Sequence, residues 1–278
     1  MTIDPDKTRA GQAGSGTGRK ITAALLAALW LAVAHRPAGA QETSFPENNF
    51  EEAKQYAACM ELARIRPQDA YDSSGTWLAQ GGGPPAEHCR AVALIGLNRF
   101  TEAAQLLEST AAKLAGTDSS RALAARLYDQ AGQTWLMEND AAQAVAASNA
   151  AVGLEPKDPD MLVDRAMALG AAERWWDAID DLNRANELAP KRADILVLRA
   201  SAYRNVDSPE MAMADVAQAL TLDPNNAEGL LERGILEAQA NNKEGARADW
   251  LKAIQLAPNT PTAEAAQGHL EQLDVKTQ

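Results

Sequence analysis

Aromatic residues are scarce: six tryptophans, four tyrosines and three phenylalanines amount to 5% of 278 residues. Stretches alternating β-branched and polar residues are equally rare, which argues against a sheet protein. Only three histidines occur, His35, His88 and His269, and no Ser-His-Asp order or metal-ligand spacing can be built from them. No enzymatic activity, cofactor or metal site is therefore expected. Long hydrophobic runs are missing too. ITAALLAALWLAVA, residues 21–34, is uncharged but only fourteen residues long, whereas a bilayer span needs about 20.

What the chain has is alanine in long unbroken stretches such as AAQAVAASNAAV, residues 141–152. Such runs read as helix, and an all-α protein is expected. The first forty residues stand apart. A polar segment ends in Arg19-Lys20, the apolar run 21–34 follows, and Ala38-Gly39-Ala40 supplies a small-residue triplet. Basic, apolar and small segments in that order describe a secretory signal peptide cleaved after Ala40. Periplasmic or secreted location is the corresponding expectation, with no membrane span after cleavage. An uncleaved membrane anchor formed by residues 21–34 is the alternative. The phosphate-loop look of GSGTGRK, residues 14–20, is rejected, because it follows no strand and lacks the full spacing.

The full chain carries a formal charge of −12, and the leader holds five basic residues against two acidic, so the remainder stands at −15. A surface this acidic repels nucleic acid and anionic lipid and tolerates basic partners.

The prolines expose a repeat. Pro156, Pro190, Pro224 and Pro258 are each 34 residues apart and close the similar phrases VGLEP, NELAP, LTLDP and IQLAP. In the same register small residues recur at Gly132, Ala166, Ala200 and Gly234, at Ala144, Ala178, Ala212 and Ala246, and at Ala151, Ala185, Ala219 and Ala253. Two antiparallel helices approach closely only where small residues face each other. The prolines stop the second helix, and Asp158-Pro159 and Ser208-Pro209 read as starts of the next.

These residues resemble the tetratricopeptide repeat, whose unit is a 34-residue helix–turn–helix. The resemblance, of bacterial type, implies a right-handed superhelical solenoid of antiparallel helix pairs, about 13 helices after the leader. Residues 121–260 hold four regular units. Residues 41–120 are degenerate helical repeats, with helices expected near 48–65, 68–80, 85–97 and 101–115, and residues 261–278 are a capping helix and tail. It further implies a protein or peptide partner held on the inner face by Asp129, Gln133, Val163, Met167, Val197, Ser201, Leu231 and Ile235. That set reads as an apolar groove with an acidic margin at Asp160, Asp164, Asp194, Glu228 and Glu232, suited to a hydrophobic and basic segment. The Lys and Asn array by which family members grip a carboxylate is missing, apart from Arg126 and Arg204. An envelope or cofactor assembly chaperone of the same fold is the alternative function. Trp175-Trp176 are placed at a turn, one packing and one offered as a contact.

Arg165, Arg199 and Arg233 occupy one site in the first helix of three units, and Asp181, Asp215 and Asp249 follow sixteen residues later. In the preceding unit both charges vanish together, leaving Ala131 and Ala147. Joint presence and absence predicts contact, and threefold repetition favours structural ion pairs over an acid–base array, since a catalytic site is needed once.

Cys59 and Cys89 remain after removal of the leader, adjacent in the second case to His88. In an oxidising compartment an even count reads as a bridge; free structural thiols and metal or redox chemistry are the other readings. Consecutive helix residues diverge by about 100°, so His88 is expected to be a surface bystander.

Overall fold

The structure is a computed structural model that describes residues 50–275. The leader expected at residues 1–40 lies outside the described residues. Within them the chain is entirely helical, with thirteen α-helices and one short 3₁₀ turn. The amino-terminal part contains α1 (Phe50–Ile65), α2 (Pro67–Ala79), α3 (Gly83–Gly96) and α4 (Phe100–Leu114). The 3₁₀ turn Asp118–Ser120 falls where the period is interrupted. Four regular pairs follow: α5 (Arg121–Met137) with α6 (Ala141–Leu154), α7 (Pro159–Ala171) with α8 (Trp175–Leu188), α9 (Ala193–Asn205) with α10 (Pro209–Leu222), and α11 (Ala227–Gln239) with α12 (Lys243–Leu256). The last helix, α13 (Pro261–Val275), packs on α11 and α12.

The small residues in register are the places where helices touch. Ala144, Ala178, Ala212 and Ala246 are fully buried, as are Ala151, Ala185, Ala219 and Ala253. Two positions leave no room even for a methyl group. A Cβ on Gly132 would stand 2.6 Å from Ser148 Oγ, and one on Gly234 would stand 2.4 Å from Trp250 Nε1. In these two pairs a glycine lets a side chain of the partner helix sit directly on the backbone, and most helical stability comes from such packing rather than from propensity.

Helix starts are fixed by side chains that accept from the first free amides. Asp140, Asp158, Asn226 and Asn242 cap α6, α7, α11 and α12 with bonds of 3.1, 2.9, 2.7 and 3.2 Å. Ser208 makes no such bond, so α10 begins on Pro209 alone. The turns inside the pairs share one device. Asn139, Glu173, Asp207 and Asn241, each 34 residues apart, adopt positive φ of 62°, 58°, 58° and 64°, and Asn98 does the same at 57° between α3 and α4. The left-handed residue ends one helix and turns the chain into its partner.

Odd-numbered helices also meet across units: α1 with α3, α5 with α7, α9 with α11, and α11 with α13. From α6 onward the even-numbered helices have no equally close approach to one another. The first helix of each pair therefore lies on the inner side of the curve and the second on the outer side.

Candidate functional site

Burial corrects most of the expected groove. Val163, Met167, Val197, Ser201 and Leu231 are at most 4% exposed, so they are packing residues and not a surface. Val197 shows why: it is packed with Leu196 of its own helix and Ala219 of α10, and a Cβ on Gly229 of α11 would lie 3.4 Å from its methyl. Neighbouring helices cover the position from both sides. Of the eight residues, Asp129, Gln133 and Ile235 alone keep partial exposure. The groove is thus not apolar.

Its polar residues fall into three groups. Asp160, Asp194 and Glu228, one per unit, are partly exposed near the starts of α7, α9 and α11. Arg192 bridges the first two, bonding Asp160 and reaching Asp194 at 2.7 Å, while Glu228 accepts from Thr262 at 3.2 Å. The second group joins α5 to α7. Gln133 donates to Asp129 at 3.2 Å and to Asp164 at 3.0 Å, while the other Asp129 oxygen is shut off from solvent with no hydrogen-bond partner. Burial, and then the charge of Asp164, push the Asp129 carboxyl well above the ordinary carboxylate range.

The third group closes the far end. Glu232, expected at the acidic margin, is fully buried, and Arg204 takes it with bonds of 2.5 and 3.1 Å. Neither group is free to meet a partner, since a buried charge keeps its counterion. His269 stacks on Trp250 with ring centroids 5.0 Å apart, and burial, then the charge of Arg204, lowers its pKa.

The three Arg and Asp sites separated by sixteen residues are in contact. Arg165 holds Asp181 by two bonds of 2.6 Å, Arg199 holds Asp215 by two of 2.7 Å, and Arg233 holds Asp249 at 2.6 and 2.7 Å. Two of these guanidinium groups also reach back to the preceding outer helix, Arg165 to Asn149 at 3.2 Å and Arg199 to Asn183 at 3.0 Å. Sequence reasoning missed the asparagines, although they too are 34 residues apart. At the third clamp the equivalent residue is Ala217, and the Arg233 side chain is 36% exposed against 14% for Arg199.

At the amino-terminal end Cys59 of α1 and Cys89 of α3 form a disulfide. His88 is no surface bystander: it is 1% exposed, bonded to Tyr56 Oη at 2.6 Å through Nδ1 and to Gln130 at 2.8 Å through Nε2. Helices α1 and α5 converge on α3 there, so a polar ring is buried with both nitrogens satisfied. Burial lowers its pKa to about 4. Trp175 packs against the main core while Trp176 is 63% exposed.

Residues 193–226, the unit formed by α9 and α10, match the model of the tetratricopeptide repeat. That unit is a tetratricopeptide repeat. No curated protein matches the chain in sequence. Among solved structures, it is similar to a thermophilic tetratricopeptide-repeat protein of Thermus thermophilus, at 19% identity and a TM-score of 0.54, over 68% of this chain and all of that one. It is also similar to MamA, at 14% identity and a TM-score of 0.50, over 60% of this chain and 93% of that one. YrrB, described as a tetratricopeptide-repeat protein with an unusual peptide-binding site, aligns over 66% of this chain and 91% of its own, at 22% identity and a TM-score of 0.47. At these identities the likeness is one of fold. Among the described residues no helix is long and apolar enough to cross a membrane, and no group of three or more His, Cys, Asp or Glu is placed to hold a metal.

Proposed function

We propose that this protein is a non-enzymatic interaction scaffold that takes a basic segment of a partner protein along its inner face. The observation that carries this reading is the row Asp160, Asp194 and Glu228, one partly exposed carboxylate per unit, whose contacts with Arg192 and Thr262 a cationic side chain of the partner would share or replace. A row with the period of the solenoid suits an extended segment whose cationic side chains are spaced to match. The hydrophobic part of the ligand has little to meet, because the apolar positions are occupied in packing. The net charge of −12 adds long-range attraction for a basic partner. Residues 1–40 support a further part of the proposal, export to the periplasm or beyond, which sequencing the mature amino terminus would test.

Fluorescence anisotropy with labelled peptides of fixed length and increasing Lys and Arg content tests the ligand class. Affinity should rise with positive charge and fall steeply with salt. Glu228→Gln together with Asp194→Asn should weaken it about tenfold. Binding that ignores peptide charge would overturn the proposal.

A further inference from the structure

The first helix is attached differently from every helix behind it. Of its 16 residues α1 buries two, Cys59 and Ala63. By contrast α7 buries eight of 13. Phe50 and Ile65, at the two ends of α1, are 78% and 58% exposed. What α1 covers is apolar: Ala70 and Trp77 of α2 and Ala86, Cys89 and Ala93 of α3 form one small core with Cys59 and Ala63. Tyr56, Met60 and Leu62 add partial packing, and Tyr56 adds the hydrogen bond to His88. That core is separate from the main one, which begins at Ala91 and Ala104 and continues along the regular units. One covalent bond therefore supplies much of the hold on a helix whose own apolar burial is slight.

We propose that α1 is a redox latch. With the Cys59–Cys89 bond made, α1 is docked and seals the amino-terminal end of the solenoid. When a dithiol reduces the bond, α1 undocks as a unit, baring the apolar faces of α2 and α3, while α5–α12 stay folded. In the chemical step a thiolate of the dithiol attacks one cysteine sulfur, and the other cysteine leaves as thiolate. The second thiol of the reductant then closes its own disulfide and frees the first cysteine. Two electrons and two protons pass from the dithiol to Cys59 and Cys89. Because the two cysteines are 7% and 0% exposed, attack requires partial opening of α1, so the latch responds slowly to reductant.

Hydrogen exchange on the oxidised chain, on the chain reduced with dithiothreitol and on the Cys59→Ser/Cys89→Ser variant tests the latch. In both reduced forms amides of residues 50–66 should exchange about 100-fold faster or more, with α5–α12 unchanged, and reoxidation of the wild type should restore protection. Unchanged exchange in α1 of the serine variant would overturn the proposal, because packing alone would then hold the helix. Loss of protection throughout the chain would overturn it as well, because the bond would then support the whole fold.

Discussion

The two ends of this molecule solve the same packing problem with different means. From α5 to α12 each unit repeats its neighbour's alanines at the helix crossings and its left-handed residue in the turn, and the three units from α7 to α12 add an Arg and Asp clamp. From α1 to α4 none of the clamps is present, and a disulfide and a buried histidine stand in their place. Repeated contacts need no individual strength, since every unit is supported on both sides. Among the described residues the first unit has a neighbour on one side only, and there a covalent bond and a buried histidine add to the packing.

The largest effect should come from breaking a clamp in the regular block. Arg199→Leu leaves Asp215, 7% exposed, without its cation and Asn183 without its donor. Removing one partner of a buried pair costs about 3–5 kcal/mol, to be read as a clear drop in the thermal midpoint. Arg233→Leu should cost much less, because that guanidinium is 36% exposed and lacks the asparagine contact. Equal losses for the two variants would show that the clamps do not differ in worth.

At the other end the effect is one of acidity. The folded chain holds His88 neutral down to about 4, whereas the unfolded chain takes a proton near the ordinary 6.5. Between those values the unfolded state binds more protons, so stability is complete above 6.5 and falls as the pH drops toward 4. The loss is bounded by about 3 kcal/mol, at roughly 1.4 kcal/mol per pH unit. His88→Gln keeps an amide that can bond Tyr56 and Gln130 and removes the titration. Urea unfolding at pH 7 and pH 4.5 should show a smaller pH effect in that variant than in the wild type.

Asp129 should behave in the opposite sense. Its carboxyl is raised, so the folded state keeps a proton that the unfolded state has already lost. The stability this contributes is complete below the ordinary carboxylate value and disappears as the pH rises through the folded one. Asp129→Asn supplies a neutral group of the same shape and should stabilise the chain at neutral pH, read as a higher urea midpoint. Removal of a carboxylate from the outer surface, as in Glu187→Gln, should change little by comparison. A destabilised Asp129→Asn would mean that the ionised pair is wanted.

Much of the regular block was legible because its signals repeat. The prolines and alanines mark helix ends and crossings at a fixed period, and the arginines and aspartates mark one another by vanishing together at Ala131 and Ala147. The inner face was misread for a physical reason. Spacing tells which side of a helix Val163 or Leu231 points to, but whether that side is open depends on how closely the next helix lies. The Arg204 and Glu232 pair was opaque because it occurs once, with no second copy to reveal it. His88 was opaque because its partners Tyr56 and Gln130 come from helices 32 and 42 residues away on either side.

The smallest effect separates one unit from its neighbours. The turn position that carries Asn139, Asp207 and Asn241 carries Glu173 in the unit of α7 and α8, at a φ of 58°. Asn and Asp tolerate the left-handed region because a short polar side chain can bond locally, whereas glutamate has no such help. Glu173 is exposed, so its replacement disturbs no packing. Glu173→Asn should therefore stabilise the chain by about 0.5–1 kcal/mol, seen as a higher urea midpoint with an unchanged slope. Glu173→Gly relieves the same strain but gives the unfolded chain more freedom, so it should gain less than asparagine does. If glycine gained more, the local bond of the asparagine would be worth nothing here, and the recurrence of Asn and Asp at this turn would need another cause.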